Sequence, residues 1–492
     1  LRVVSGGDVM FNRFGRVAEQ FVAYYGIISG MFGASLALVG TATFVSTVFG
    51  LRLDLLIIGV GVAITIYSSC AGTWGVFVQG SVLVPVTIAV TVLALLEVGG
   101  VTNMFDMIHQ QGLTEDFALL KSAGHVYKTP VKITEGLFTP GWLLGLLFLQ
   151  ISGSTSLAAR YITVKDGTEA RKAALFVGIM LLFGASIWYI PPIVGRLIYY
   201  NDIMAVKGIP NVADAAYAVV SSKVLPTGLI GLMAMAILAA TMSSLDSSFN
   251  GIAALVVRNI YPPLAAALKV KEITDPKKLL VMGRFVNAIY GSILIILGLC
   301  FTKFGMKDGL YSYMLILMAL IGFPSVVPMF MAMFVRKTPA WSYFISMGMG
   351  ILGSSFCFFA PKINPSIKIL WHEQLFIIGA LGIIGWLISA FFWKRCTPEY
   401  RAKVEEFYAR MNTPVDFAKE VGTGNDFRQF KMVGLFVMIA GGLLMLLLLA
   451  PNPLRGRITI LIIATFVLIL GFLLYRLGVR AFKKMETKEL PE

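Results

Sequence analysis

The chain has 492 residues, of which 57% are hydrophobic and only 14% are charged. This composition excludes an ordinary soluble domain and is typical of a protein with many membrane-spanning helices. The formal net charge of +15 raises the question of a nucleic-acid partner, which the distribution of charge along the chain answers below. The four cysteines are scattered without the spacing of a metal or redox site.

Apolar segments of helical length follow one another along the chain and predict an all-α membrane bundle of about twelve helices. Each is long enough to cross most or all of a bilayer core at about 1.5 Å per residue. We place them at 19–49, 54–73, 79–98, 139–160, 173–199, 226–257, 279–301, 309–335, 341–360, 374–393, 432–450 and 457–475.

The basic residues predict how these helices are oriented. If residues 1–18 are cytoplasmic and the helices alternate, the cytoplasmic segments hold 27 Lys and Arg, against 13 on the opposite side. Cytoplasmic loops of membrane proteins carry such an excess. The positive charge is therefore explained by topology and lipid headgroups, and we expect a lipid bilayer but no nucleic acid as a partner. The linker 394–431 and the C-terminus are predicted to be cytoplasmic.

The most informative stretch lies within the helix predicted at 226–257. From Val224 to Leu245 there are 22 residues without a charge, and then an acid and several serines follow while the chain is still deep in the predicted span. An unsatisfied polar group in hydrocarbon costs several kcal/mol. These side chains must therefore face protein, water or a ligand.

Four of these residues share one face of a helix: Ala240, Ser243, Ser244 and Ser247. The face offers a backbone carbonyl and three hydroxyl oxygens, and such weakly charged oxygen ligands suit Na⁺ better than a divalent ion. An alternative is structural: the hydroxyls bond back to carbonyls one turn earlier, and Ala240 with Ser244 forms a packing seam of small residues.

The same stretch resembles the signature helix of the sodium:solute symporter family. The resemblance rests on Ala240, the pair Ser243-Ser244, and Arg258-Asn259-Ile260-Tyr261, where the family commonly has Asp-Ile-Tyr. It is supported by Arg13-Phe14-Gly15 before a helix and by the basic loop after Arg160. The resemblance implies a LeuT-type fold and a coupling Na⁺ held by the Ala240 carbonyl and the Ser243 and Ser244 hydroxyls.

The resemblance also implies a division of the chain. The LeuT-type core has ten helices in two inverted repeats. If 226–257 is the eighth of them, residues 1–335 hold about eight core helices, and we expect the first two to be absent from this sequence, which begins with Leu1. Residues 336–492 would then be additional C-terminal helices with the linker 394–431 between them.

A second sodium ion is an open question at this stage. The acid that some family members carry at the start of the fifth core helix corresponds to Gly80 here. Asp246 lies near the other ligands of such a site and could replace that acid. The alternative is that Asp246 hydrogen-bonds a neighbouring helix or faces a cytoplasmic vestibule.

The segment around Gln150, Ser152 and Ser154 is the predicted solute site. Small polar residues and glycine inside a membrane helix indicate either a broken or kinked helix that lines a substrate cavity or a helix–helix contact. The resemblance implies that sugar-transporting members of the family carry a Lys near the position of Leu181 and a Gln near that of Leu315. Both positions are apolar here, so a sugar is not favoured.

These features predict a sodium-coupled symporter of the cell (inner) membrane that imports a small organic solute by alternating access. They do not indicate an enzyme, because no nucleophile–base–acid arrangement or nucleotide-binding loop is visible. The alternative is a transport-inactive, symporter-like sensory domain. The 17 residues after Tyr475 are too short for a fused kinase, which counts against that alternative.

Overall fold

The computed structural model describes residues 6–70, 75–118, 120–121, 125, 136–161, 167–304, 308–412 and 428–489, and this part of the chain is helical without strands. The α-helices are α1 Gly6–Phe14, α2 Arg16–Phe49, α3 Leu53–Cys70, α4 Gly75–Glu97, α5 Val101–Gln110, α6 Pro140–Tyr161, α7 Gly167–Ile198, α8 Tyr200–Met204, α9 Ala216–Val224, α10 Leu229–Leu255, α11 Tyr261–Ala267, α12 Pro276–Phe304, α13 Leu310–Leu317, α14 Phe323–Phe334, α15 Ser342–Ile363, α16 Trp371–Ala390, α17 Pro398–Asn412, α18 Arg428–Met445 and α19 Leu454–Glu489.

The predicted all-α membrane bundle is confirmed. Within the described residues, nine helical segments are long and apolar enough to cross a membrane, and Leu83–Glu97 with Val101–Gln110 forms a further pair bent by 59°. Two shorter apolar helices, Leu53–Ser69 and Pro140–Gln150, occupy the remaining predicted positions. Every one of the twelve predicted segments therefore falls on a helix.

The helix predicted at 226–257 is longer than expected. It runs from Leu229 through a π-turn at Val256–Ile260 to Ala267. A π-turn leaves backbone groups without their usual partners, and here Gln20 Nε2 donates to the Asn259 carbonyl at 2.6 Å. The Asn259 side chain in turn donates to Glu19 Oε1 at 2.6 Å. The Asn259 segment is therefore anchored to the first turns of α2.

The three largest of five buried clusters among the described residues join most of the helices. One joins α1, α6 and α13–α16 around Phe323 and Trp386, a second joins α2, α3, α10 and α12 around Phe249 and Tyr290, and a third joins α4 and α10 to the last two helices. Lipid tails are as apolar as these side chains, so close packing rather than water exclusion must drive the contacts. Helix α10 belongs to two of the clusters and is the central element.

Glycines permit the closest helix contacts. A Cβ placed on Gly291 of α12 would lie 2.0 Å from Thr65 Oγ1 of α3, and one on Gly61 of α3 would lie 2.4 Å from Ile295 Cγ1. Both distances are shorter than any real contact, so neither position accepts even alanine without a shift. Moving four residues forward along α12, from Gly291 to Ile295, corresponds to moving four residues back along α3, from Thr65 to Gly61. The helices α3 and α12 therefore run antiparallel.

Arg13 joins three segments at one end of the bundle. Its side chain is 2% exposed and donates to the hydroxyl of Tyr400 at 2.6 Å, the Arg336 carbonyl at 2.8 Å and Thr338 Oγ1 at 3.0 Å. It also reaches the hydroxyl of Tyr408 at 3.3 Å. Helix α1, the turn at 336–338 and α17 therefore meet at one end, and all three were predicted to be cytoplasmic.

Segments predicted to lie on the opposite side also meet. Asn452 exchanges two hydrogen bonds with the backbone of Thr227, at 2.8 and 3.0 Å. Arg455 Nη1 lies 3.0 Å from Glu97 Oε1. These contacts agree with the grouping of loops that the charge pattern predicts, and which end faces the cytoplasm stays a prediction.

The division at residue 335 stays a prediction. Helices α15 and α16 share a hydrophobic cluster with α6 and α13–α14, while α18 and α19 pack on α4 and α10. The helices after residue 335 are therefore continuous with the packing of those before it.

Candidate functional site

Helix α10 separates a buried face from an open one. Leu245, Phe249 and Ile252 are buried against α2, α3 and α12. Ser243 and Ala240 are half-buried, whereas Ser244 and Ser247 on the same side are exposed. The helical spacing of the sequence thus puts the four proposed ligands together on one face, which is partly covered at Ala240 and Ser243 and open at Ser244 and Ser247.

The sequence predicts that these groups point together toward the place of the first core helix, and that they line an open, half-lined cavity unless that helix covers them. The structure leaves Ser244 and Ser247 exposed, and a Cβ on Gly251, further along the same side, would have no atom within 4 Å. The tight packing seam offered as an alternative would cover Ser244, which is exposed. The ion site itself stays a prediction.

The other half of that alternative is present. Ser244 Oγ donates to the Ala240 carbonyl at 3.2 Å, and Ser247 Oγ donates to the Ser243 carbonyl at 3.1 Å. A hydroxyl that donates keeps its lone pairs for a cation. The Ala240 carbonyl, however, also accepts the helical N–H four residues on. For it to bind an ion, the Ser244 hydroxyl must rotate away.

Asp246 lies beside this face and is buried, with 1% of its surface exposed. Asn250 Nδ2 donates to its Oδ2 at 3.0 Å. Oδ1 is buried and has no hydrogen-bond partner among the described residues. A buried carboxylate oxygen without a donor is costly, so this atom is suited to a cation or a proton. Gly80 lies in the part of α4 whose side-chain environment is not described.

Two contacts fix α10 against its neighbours, and the sequence did not reveal either. Thr241 hydrogen-bonds Thr41 of α2 through their hydroxyls. Ser248 Oγ lies 2.7 Å from the Tyr290 hydroxyl of α12, and the Phe249 ring meets the Tyr290 ring edge-on at 4.9 Å. Ser248 thus has a structural partner on another helix, unlike the three serines of the open face.

The predicted solute residues lie on α6, which runs without a break from Pro140 to Tyr161. The helix is therefore not broken at this segment, whereas a kink in it and its role in a solute site stay predictions. Gln150 is exposed and lines a cavity of about 310 Å³ between α2, α6 and the helix that spans 310–334. The side chains of Ser152 and Ser154 lie outside those the structure describes. None of the proposed ion ligands lines this cavity.

The third wall of the cavity is a distorted helix. Between α13 and α14 a π-turn spans Met318–Gly322, and its residues line the cavity. In the sequence, Gly322, Pro324 and Pro328 interrupt this apolar helix, and such residues can bend a helix over a cavity. The turn itself, with its wider hydrogen bonding, could not be read from the sequence.

Side chains from three other helices satisfy the carbonyls of this distorted helix. Pro324 has no N–H, so the Leu320 carbonyl loses its helical donor, and Ser354 Oγ donates to it at 2.6 Å. The Tyr25 hydroxyl donates to the Ile321 carbonyl, and Trp371 Nε1 donates to the Leu315 carbonyl at 2.9 Å. These bonds hold the distortion in place beside the cavity.

Comparisons with known proteins agree with this architecture. The model of the sodium:solute symporter family matches residues 3–350. The chain is 23% identical over 301 residues to sodium/glucose cotransporter 1 of Mus musculus, covering 55% of this chain and 43% of that protein. It is 25% identical over 362 residues to sodium/glucose cotransporter 2 of Rattus norvegicus, covering 65% and 52%. The chain thus spans about half of these relatives, or less.

A solved structure gives the same fold. A Na⁺-coupled sialic acid symporter in a substrate-bound outward-open state superimposes with a TM-score of 0.58 over 80% of this chain and 78% of that one, at 18% identity. That identity shows the fold alone, which is of the LeuT type. Taken with the match over residues 3–350, the chain is a multi-span membrane protein that belongs to the sodium:solute symporter family, whose members are transporters and not enzymes.

Proposed function

We propose that this protein is a sodium-coupled symporter of the cell (inner) membrane that imports a small organic solute by alternating access. The observation that supports it most directly is the row of oxygen ligands on α10. Ala240, Ser243, Ser244 and Ser247 share one open face of a helix that is otherwise packed in the centre of the bundle. Polar groups at membrane depth need a partner, and family membership makes Na⁺ the natural one.

Asp246 is proposed as the charged member of the site. A hard cation normally takes more oxygens than one row of hydroxyls supplies. The buried Oδ1 of Asp246, without a donor among the described residues, provides a formal negative charge one residue from Ser247. The solute is proposed to bind at the cavity that Gln150 lines, with Ser152 and Ser154 on the following turn of α6.

The test is sodium-dependent uptake of a solute panel by the full protein in liposomes, with Ser243→Ala, Ser244→Ala and wild type compared. Losing a hydroxyl ligand is worth about 1–3 kcal/mol, so the apparent Na⁺ affinity should fall about 5- to 150-fold. If Asp246 belongs to the same site, Asp246→Asn should lower the apparent Na⁺ affinity and leave the Hill coefficient for sodium unchanged; a lower Hill coefficient would instead assign Asp246 to a second sodium site. Sodium-independent solute binding without flux would instead favour a sensory domain.

The matched control is Ser292→Ala on α12. Ser292 is exposed, and its Oγ donates to the carbonyl four residues earlier at 2.9 Å, as Ser244 does. It should leave the sodium dependence unchanged. Ser248→Ala is a poorer control because that serine contacts Tyr290 at 2.7 Å. If Ser243→Ala, Ser244→Ala and Ser292→Ala shift the sodium dependence equally little, the open face is not an ion site.

A further inference from the structure

The cavity between α2, α6 and the distorted helix is lined almost entirely by apolar groups. Its lining holds nine aliphatic, aromatic or methionine side chains and two glycines, and only Ser29 and Gln150 carry polar side chains. None of the described side chains that line it is charged. Its volume of about 310 Å³ lies at the lower end of the range for small-molecule sites.

This lining suits one chemistry and disfavours others. A polyol would bury several hydroxyls that two polar side chains cannot satisfy, and each unpaired hydroxyl weakens binding. A charged group of either sign inside the cavity would find no described side chain of opposite charge, so it must stay where water reaches it. Gln150 is exposed at the edge of the cavity. Its amide NH₂ can donate to a carboxylate, and the whole amide can donate to and accept from a second amide. A head group there would stay hydrated while an apolar body filled the remainder.

Resting on the function proposed above, we propose that the solute is a small molecule with a compact apolar body, which enters this cavity, and a single carboxylate or amide group, which stays at Gln150. The size of the cavity sets an upper limit on that body. The same lining excludes hexoses and other polyols from tight binding.

The cavity offers a way to test the size limit without disturbing the fold. Gly33 of α2 lines the cavity, and a Cβ built there has no atom within 4 Å. Gly33→Ala therefore adds a methyl group to the cavity and meets no protein atom. Gly30, less than one turn earlier on α2, also has no atom within 4 Å of its Cβ but does not line the cavity. Both changes raise helix propensity, so Gly30→Ala is a matched control.

The probes are straight-chain carboxylates from propanoate to octanoate, with glucose and butylammonium as contrasts. Their dissociation constants are measured by the thermal shift of the full protein in lipid nanodiscs. Wild type should show an optimum chain length. Gly33→Ala should move that optimum to a shorter chain. The affinity for the wild-type optimum, divided by the affinity for the next shorter carboxylate, should fall about tenfold, because one methylene in an apolar pocket changes affinity by about that factor. Gly30→Ala should match wild type.

Three results would overturn the inference. The first is tighter binding of glucose than of every carboxylate. The second is an affinity that rises with chain length without an optimum, because that trend would mean that the acyl chain binds to the lipid-facing surface and not in the cavity. The third is an optimum that Gly33→Ala leaves unchanged.

Uptake of the best carboxylate into liposomes separates this inference from the proposed function. If the carboxylates bind with the expected optimum but are not taken up in a sodium-dependent way, the proposed symport is refuted and the binding site is retained. If a hexose is taken up in a sodium-dependent way and no carboxylate binds, the proposed class of solute is refuted and the proposed symport stands.

Discussion

Arg13→Gln should release helix α17 from the rest of the bundle. The guanidinium is 2% exposed and makes five hydrogen bonds, to both tyrosine hydroxyls of α17 and to the backbone and side chain at 336–338. Its carbon also lies 5.9 and 5.7 Å from the centres of the Tyr400 and Tyr408 rings. Glutamine can replace only one or two of these contacts.

The magnitude follows from those bonds. A hydrogen bond to a charged group contributes about 1.5–3 kcal/mol, and such bonds within one network are not additive. We take a loss of about 3 kcal/mol for the network, which corresponds to an increase of about 100-fold in the undocked population of α17. Arg13→Lys keeps the charge but not the planar fork of donors, so it should lie between wild type and Arg13→Gln.

Hydrogen exchange measured by mass spectrometry on the full protein reports this opening, because amides of a locally undocked helix exchange faster. Amides at 398–412 should exchange about 100-fold faster in Arg13→Gln, while those of α3 and α12 should not change. Arg410→Gln is the control on the same helix. Arg410 pairs with Glu406 one turn away, and its side chain is 66% exposed, so an effect within about twofold is expected. Exchange at 398–412 within threefold of wild type in Arg13→Gln would refute this reasoning.

Two further predictions concern packing and pH. Gly291→Ala should lower the thermal stability of the protein in detergent, by the equivalent of about 1–3 kcal/mol, because its Cβ would meet Thr65 Oγ1 at 2.0 Å. Gly283→Ala on the same helix should not lower the stability, because the nearest atom to its Cβ would lie at 3.8 Å. Equal melting temperatures of the two variants would contradict the close contact at Gly291. Burial raises the pKa of Asp214 from 3.8 to about 6 and outweighs the hydrogen bond from the Leu310 amide, which lowers it. The carboxyl group therefore loses its proton at a lower pH in the unfolded chain than in the folded one. The stability that this group contributes below pH 3.8 should be lost as the pH rises to about 6. Asp214→Asn should flatten the slope of stability against pH in that window, and an unchanged slope would show that another group is responsible.

The membrane architecture could be predicted from the sequence because its signals are local. A run such as Val224 to Leu245, 22 residues without a charge, needs no knowledge of its neighbours to be assigned as a membrane helix. The same holds for the unequal distribution of Lys and Arg between alternate loops. The meeting of Arg13 with Tyr400 and Thr338 agrees with that distribution.

The proposed ion site was only partly predictable. Spacing of three and four residues brings Ala240, Ser243, Ser244 and Ser247 to one side on any regular helix. Spacing does not say which side of α10 meets other helices. That depends on Leu245 and Phe249 finding Tyr290 on a helix about 40 residues later, and the outcome left the serine face open.

What the sequence by itself determined is the class of structure and the grouping of residues within single helices: an all-α membrane bundle, its charge-sorted ends, and the row of oxygens on α10. Tertiary structure alone decided the π-turns at Val256–Ile260 and Met318–Gly322, the cavity beside the second turn, and the long-range donors that hold both distortions. The physical reason is that a π-turn becomes tolerable only when its displaced carbonyls find partners. Here Gln20 and Tyr25 reach them from α2, distant in the chain, and Ser354 reaches one from the neighbouring helix α15.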